Sequence, residues 1–339
     1  MNFHQLIEQH WNQPKFWLKM LLYPLSLIFA VVVAIRGFLY RSGFLKAEKV
    51  SVPVVIIGNI HAGGSGKTPV VVALANALKI RNINVGIISR GYGRETKDVR
   101  LVNANDSAKL VGDEPLLIAR RTNLPIAVGR KRVQAAKLLL QNFPQTQIIL
   151  SDDGLQHYSM ARDFEIIVFP ANRINKKHYL FPNGNLREPM SRIKSANMLL
   201  FSGCPDDNIC KQTYFPETGK VFSSHIVADY FYPLNNPQTR LTADFFKHKQ
   251  TIALAAIARP ERFFNTLKDL GISLQEEISL PDHANLSKTN IPSQYQAVII
   301  TEKDAVKLSE YQLSNVFVLS INAHLPNQLI DEVLQCLSK

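Results

Sequence analysis

The chain predicts an α/β protein. A mostly parallel sheet flanked by helices is preceded by an apolar N-terminal helix and followed by a smaller C-terminal α/β part. Three observations carry this. From residue 50 onward, short β-branched runs alternate with helical patterns, as in parallel strands joined by crossover helices. The first run empties into a glycine-rich loop and then into Lys67-Thr68 at the start of a helical pattern. Near the N-terminus, sixteen consecutive residues, 20–35, carry no charge.

The stretch 52–72 reads VPVVIIGNIHAGGSGKTPVVV, and its residues 54–57 have the pattern of a buried strand. Strand, glycine loop and helix in this order are the layout of a P-loop NTPase. Glycines let backbone N–H groups turn inward around phosphate oxygens, and the helix N-terminus adds positive potential. Gly58, Asn59, His61, Ala62, Gly63, Gly64, Ser65 and Gly66 are therefore candidates to line the phosphates of a nucleotide, with a lean to ATP. Lys67 would reach the β- and γ-phosphates, and the Thr68 hydroxyl would ligate Mg²⁺. The strict G-x-x-x-x-G-K-[ST] pattern has its first glycine at position 61, which here is His61. A turn that binds nothing could use the same glycines. With strand, glycines and Lys-Thr all in register, an NTP site is the stronger expectation.

Hydrophobic residues make up 46% of the 339 and charged residues 19%, which excludes a disordered chain. Lys and Arg number 39 against 27 Asp and Glu, a net charge of +12. That excess suggests a polyanionic partner: nucleic acid, an anionic membrane surface or a phosphorylated substrate. There is no helix–turn–helix or zinc pattern, so nucleic acid is the weakest of the three and is not expected. Cys204, Cys210 and Cys336 have no metal-ligand spacing and read as reduced thiols of a cytosolic setting.

In chain order, residues 1–49 form a separate segment. At ~1.5 Å per residue its uncharged run spans roughly 24 Å, short of the roughly 30 Å of a hydrocarbon core. Lys15, Lys19, Arg36, Arg41, Lys46 and Lys49 flank it, with Trp11, Phe16, Trp17, Phe38 and Tyr40 placed like interfacial aromatics. The run starts late and no A-x-A-like site follows, which argues against a cleaved signal peptide. A buried core helix is the alternative to a helix seated in or on a membrane, and the basic flanks favour the membrane.

Residues 50–215 read as the nucleotide-binding core and 216–339 as a C-terminal α/β lobe. A helix over 69–80 and a strand over 85–89 lead to Arg90-Gly-Tyr-Gly-Arg94, a basic strand exit on the side where α/β sheets bind ligands. Arg90 is a candidate to meet an anionic substrate there, and an ordinary glycine turn is the alternative. Residues 98–109 are polar, a surface loop or edge element. Asp113 opens a helix running to Arg121, where an acid is most often an N-cap. A strand at 125–128 and a helix opening at 130–132 follow. The strand 147–150 delivers Ser151-Asp152-Asp153, the form of a Walker B element, in which a carboxylate holds Mg²⁺. Strands at 164–169 and 198–201 bracket FPNGNLREP (181–189), which carries Arg187 and Glu188 on a loop. In the C-terminal lobe, strands are expected at 252–256, 297–301 and 316–321, with helices near 260–270 and 325–337. Its polar landmarks are LPDH (280–283) and TEKD (301–304). The latter is not the guanine-reading N-K-x-D pattern.

Seven motifs occur in one order: GNIHAGGSGKTP, SRGYGR, VGDEP, SDDGLQH, LREP, PDH and TEKDAVKL. Behind an apolar N-terminal helix they resemble the tetraacyldisaccharide 4′-kinase, or lipid A 4′-kinase, family of Gram-negative bacteria. The resemblance runs from the N-terminal helix to about residue 308. It implies MgATP-dependent phosphorylation of the 4′-hydroxyl of an anionic acylated disaccharide 1-phosphate, at the cytoplasmic face of the inner membrane. It further implies Asp113 as general base, with Asp152 and Asp153 arranging metal, Lys67 and the base. Arg187 would contact the substrate phosphate, Glu188 the metal, and His283 would steer Asp113 or the sugar. The chain departs mildly from the family at Asp282-His283-Ala284, where relatives often have a second histidine. A membrane-associated switch ATPase of the partitioning and maturation type would share GGSGKT, the Walker B acids and the helix. It would hydrolyse ATP without a lipid acceptor.

Overall fold

The computed structural model describes residues 3–174, 176–204, 220–282, 284 and 286–338. Along the chain the helices are α1 (Phe3–Asn12), α2 (Phe16–Arg41), α3 (Lys67–Ile80), α4 (Ala108–Val111), α5 (Asp113–Thr122), α6 (Arg132–Asn142), α7 (Pro260–Asp269), α8 (Glu302–Leu308) and α9 (Asn327–Leu334). The strands are β1 (Val54–Gly58), β2 (Val85–Ser89), β3 (Arg100–Leu101), β4 (Ile126–Val128), β5 (Ile148–Asp152) and β6 (Phe164–Pro170). They continue as β7 (Met198–Ser202), β8 (Lys220–Pro233), β9 (Thr251–Ala255), β10 (Leu274–Ser279), β11 (Ala297–Thr301) and β12 (Val316–His324).

The chain forms two compact units. The first comprises Met1–Lys67, Gln147–His225 and Leu325–Lys339, and the second Thr68–Thr146 and Ile226–His324. Each is assembled from separate stretches, so compactness partitions the chain differently from the linear division at residues 49 and 215.

In the first unit β1 is central, parallel to β5 on one side and β6 on the other, with β7 and the start of β8 continuing the sheet in parallel. Ile56 lies opposite Ser151 and Glu165 in these ladders. Every residue of β1, β5, β6 and β7 is buried. A strand covered on both faces is mostly apolar, which is why these segments read as nearly continuous apolar runs. The second unit holds β2 parallel to β4, with β3 antiparallel at the edge, and the parallel set β10–β9–β11–β12. Alternate residues of that set feed opposite cores. Ile252, Leu254, Val298 and Ile300 pack in one, and Ala253, Ala255, Ile299 and Leu319 in the other. Helices α5 and α8 of this unit are tied by Arg121, whose Nη1 donates to both oxygens of Glu302 at 2.6 and 2.7 Å. Burial pushes the Glu302 carboxyl up, against the pull of that guanidinium.

The expected elements are present, most with bounds shifted by a few residues, and the N-terminal apolar helix extends beyond its uncharged run at both ends. Two strands escaped the sequence reading. β10 is mostly exposed and carries Glu276 and Glu277, charges typical of a sheet edge, which hide an apolar alternation. β8 mixes buried and exposed positions, alternating only over residues 225–230. Cys204 is disulfide-bonded, which corrects the expectation of three reduced thiols. Sequence spacing does not reveal which sulfurs come within bonding reach.

The N-terminal segment is two helices. α2 has 26 residues, ~39 Å at 1.5 Å per residue, and among the described residues it alone is long and apolar enough to cross a membrane. Only Leu18, Leu22, Ser26 and Gly37 of it are buried, whereas Met20, Leu21, Leu25, Ile28, Val32 and Ile35 are exposed. That is not the burial of a core helix. The buried side meets residues 179–183. Ser26 Oγ donates to the Leu180 carbonyl at 3.0 Å and accepts from Asn183 N at 3.1 Å. Trp11 Nε1 donates to the Pro182 carbonyl at 2.9 Å. His10 Nδ1 accepts from Lys15 N at 3.1 Å, which leaves Nε2–H to donate to Asn183 Oδ1 at 3.0 Å. Phe181 adds edge contacts with Trp11 and Phe29.

Gly58, the last residue of β1, has no room for a side chain. A β-carbon there would lie 2.7 Å from Leu155 Cβ and 3.2 Å from the Leu155 nitrogen. Gly58→Ala should cost about 1–3 kcal/mol of stability through this overpacking. A lowered thermal unfolding midpoint would show it, and an unchanged midpoint would mean that the strand end yields freely.

Candidate active site

The phosphate loop lies in the first unit, between β1 and α3. Gly63 and Gly66 have φ of +90° and +78°, a region that favours glycine, and a β-carbon on Gly63 would meet nothing within 4 Å. The loop is held at its sides. Ala62 N donates to the Asn185 carbonyl at 2.6 Å, and Arg187 N to the Ile60 carbonyl at 2.7 Å. His61 bridges antiparallel to Leu186, and Ser202 Oγ donates to the Ser65 carbonyl at 2.7 Å. His61, at the position of the missing glycine, does not adopt a left-handed φ. Its buried ring packs edge-on to Phe169 at 4.8 Å and lies 3.4 Å, nitrogen to nitrogen, from His178. Burial pushes the His178 imidazole below its ordinary value.

Lys67 opens α3 and points its ammonium at two oxygens, donating to Asn59 Oδ1 at 3.0 Å and pairing with Asp153 Oδ1 at 3.3 Å. The other Asp153 oxygen takes Arg187 Nη1 at 3.2 Å. Asp153 follows β5 with φ of +49°, a left-handed conformation that costs a non-glycine residue ~1–2 kcal/mol. Its nitrogen donates to the Ile57 carbonyl at 2.9 Å, which fixes it at the mouth of the loop. Asp152 ends β5 and is buried opposite Ile57. Asn59 Nδ2 and Ser65 Oγ are buried with no protein hydrogen-bond partner. Two unsatisfied donors, a lysine, glycines and open space fit the oxygens of a polyphosphate.

Glu188 is grouped differently. It is buried beside the Tyr158 hydroxyl and Arg192. Burial pushes its carboxyl up, against Arg192 and Tyr158. Arg192 also donates to both oxygens of Glu165 at 2.6 and 2.7 Å, and Arg162 to one of them at 2.7 Å. Tyr158 in turn stacks on Tyr40 of α2 at 5.7 Å.

A second polar group lies in the second unit, which also contains Thr68. Asp113 is the first residue of α5, and the N-cap is Gly112, so the reading of Asp113 as a cap gives way. Gly112, with φ of +96°, would place a β-carbon 3.0 Å from Gly91 Cα, so the SRGYGR turn packs on the VGDEP turn. Arg90 is exposed. Lys307 Nζ lies 3.7 Å from Asp113 Oδ2 and 3.4 Å from Asp304 Oδ1. Lys303 Nζ lies 3.4 Å from Glu114 and 3.3 Å from Asp282. Burial alone would lower the Lys303 ammonium, but Glu114, Asp282 and Asp113 outweigh it and hold it above its ordinary value. VGDEP, the aspartate of PDH and TEKDAVKL thus come together. His283 lies outside the described residues. Sequence reasoning quoted TEKDAVKL without giving its lysines a part. Asp304 and Lys307, three apart and so on one helix face, were the available signal.

The loop, its lysine and the buried acid at the end of β5 define a P-loop kinase-type nucleotide site on a mostly parallel sheet. Residues 18–338 match the family described as tetraacyldisaccharide-1-P 4′-kinase, and the chain belongs to that family. A tetraacyldisaccharide 4′-kinase of Neisseria meningitidis is 45% identical over 98% of this chain and 96% of its own length. One from Chromobacterium violaceum is 40% identical over 97% of each. A crystal structure of LpxK from Aquifex aeolicus in complex with ATP superposes with a TM-score of 0.79 at 31% identity, covering 94% of this chain and 99% of that one.

Lys67→Ala should weaken ATP binding by about 10- to 150-fold, the loss of one charge-assisted hydrogen bond worth ~1.5–3 kcal/mol. Calorimetric titration without lipid would measure it. An unchanged Kd would mean that Lys67 does not touch the nucleotide.

Proposed function

We propose that the chain transfers the γ-phosphoryl group of ATP to the 4′-hydroxyl of a tetraacylated disaccharide 1-phosphate, a step of lipid A biosynthesis. The observation that carries this reading is the phosphate loop ending in Lys67 within a chain that belongs to the family over 18–338. The new bond joins the sugar oxygen to the γ-phosphorus. The bond from that phosphorus to the bridging oxygen breaks, and ADP leaves with the electron pair.

Such a transfer depends on charge neutralisation and alignment more than on covalent participation by the protein. In this reading the loop amides from Gly58 to Gly66, with Asn59, Ser65 and Lys67, hold the β- and γ-phosphates. Thr68, Asp152 and Glu188 would hold Mg²⁺, which would supply neutralising positive charge to the phosphate oxygens. Asp153 keeps Lys67 and Arg187 in place from a strained backbone position. Arg187 and Arg90 receive the anionic substrate. Asp113 accepts the proton of the 4′-hydroxyl as that hydroxyl becomes acidic in the transition state. His283 steers Asp113 or the sugar.

The exposed apolar face of α2 seats the protein in the bilayer that holds the acyl chains, with Arg36, Arg41, Lys46 and Lys49 at the anionic head groups. The need for ATP puts the rest of the chain on the cytoplasmic face of the inner membrane.

Labelled γ-phosphate should appear on a tetraacyl disaccharide 1-phosphate in detergent micelles with wild type, and not with Lys67→Ala. Asp113→Asn should lower kcat by about 10²–10⁴-fold with little change in the KM for ATP. Phosphate released equally fast with and without lipid would overturn the kinase reading in favour of a switch ATPase.

Seating in the bilayer has its own test. A charge on the lipid-facing side costs about 2.5–3.5 kcal/mol at the hydrocarbon centre. Ile28→Lys with Val32→Lys should therefore reduce vesicle co-sedimentation at least tenfold by that estimate. Activity on detergent-dispersed substrate should persist. Undiminished vesicle binding would move the membrane contact elsewhere.

A further inference from the structure

We propose that Lys307 is a positioning residue for the transfer step: its buried ammonium holds the Asp113 carboxylate in the orientation from which Asp113 takes the substrate proton. The proposal rests on the reading of Asp113 as the base.

The geometry points there in three ways. Lys307 Nζ is placed between two acids, 3.4 Å from Asp304 Oδ1 and 3.7 Å from Asp113 Oδ2, with only 7% of its side chain exposed. An ammonium at that burial has little water to satisfy it, so the two carboxylates fix where it sits. Asp304 is the anchor. It is fully buried, and its other oxygen already accepts from Thr301 Oγ1 at 2.7 Å and Ala256 N at 3.1 Å. Those two bonds tie Asp304 to the ends of β11 and β9, and through it Lys307 is tied to the sheet. Asp113, by contrast, stands at the first turn of a helix, partly exposed, as a group that must meet a substrate would be. A separation of 3.7 Å exceeds hydrogen-bond length, so Lys307 acts on Asp113 by charge without tying up an oxygen lone pair.

Among the described residues, the other lysine beside this pair is held by different acids. Lys303 is engaged by Glu114 and Asp282, although it also feels the charge of Asp113. Two lysines thus stand among Asp113, Glu114, Asp282 and Asp304. Lys307 pairs with Asp113 and is at the same time anchored to the sheet through Asp304.

Lys307→Met alone would strand the Asp304 charge in the core and threaten folding. The informative change is therefore Lys307→Met with Asp304→Asn, which removes both charges and keeps an acceptor for Thr301 and Ala256. Single-turnover transfer to detergent-dispersed lipid should slow by about 10- to 100-fold, part of the 10²–10⁴ that a general base contributes. The Kd for ATP should stay within about twofold, because the phosphate loop is untouched. In an Asp113→Asn background the same double change should slow transfer no further, since the group it positions is gone. Lys307→Arg, which keeps the charge and leaves Asp304 paired, should recover at least about a third of the wild-type rate.

Transfer by the double variant within about threefold of wild type would overturn the proposal. So would an equal slowing in the Asp113→Asn background, or Lys307→Arg being as slow as the double variant. Asp113→Asn active at the wild-type rate would overturn the reading of Asp113, and the proposal with it. Asp113→Asn inactive beside a fully active double variant would overturn the proposal alone.

Discussion

Ten residues, 179–188, are gripped from two directions, and the nucleotide loop depends on that grip. On one side α1 and α2 supply His10, Trp11 and Ser26 to Asn183 and to the carbonyls of Pro182 and Leu180. On the other, the backbone of residues 185–187 pairs with the phosphate loop at Ala62, His61 and Ile60. Arg187 then reaches Asp153, which holds Lys67. A glycine-rich loop has few side chains with which to fix itself, so its shape must be imposed from outside. Here the imposing element is itself shaped by the apolar helix.

The two polar groups solve opposite electrostatic problems. Around Asp153 one acid separates two cations, Lys67 and Arg187, which leaves net positive charge for phosphates. Around Lys307 one cation separates two acids, Asp113 and Asp304, which leaves net negative charge for a proton. In neither group does the ion pairing serve stability first. Partly buried pairs return little net free energy after desolvation, so their value lies in fixing where each charge stands.

The nucleotide loop was legible because strand, glycines and Lys-Thr are neighbours in sequence, so local rules suffice. His61 looked like a defect in the pattern. The structure shows why it is tolerated: its backbone needs no left-handed φ, and its ring is buried against Phe169 and His178. The length of α2 was underestimated because counting uncharged residues stops at Lys19 and Arg36, whereas the helix continues through both. Lys19 finds Tyr179, with its Nζ 3.1 Å from the hydroxyl, and that partner is 160 residues away. The Asp113–Lys307 pair was illegible for the same reason, since no local pattern joins residues 194 positions apart. β10 was missed because the charges that protect a sheet edge also erase its alternation.

The grip on residues 179–188 also bears on how this protein can be handled. An apolar N-terminal helix invites removal to obtain a soluble enzyme, as though it were a leash. Cutting it away would take the partners of Asn183 and of the Leu180 and Pro182 carbonyls along with it, and so loosen the frame of the phosphate loop from behind. Solubility would be better sought by recolouring the outward side chains of the helix, such as Leu21, Leu25 and Ile35, while leaving Leu18, Leu22 and Ser26 in place. The helix is a brace behind the nucleotide loop whose outer surface happens to be apolar.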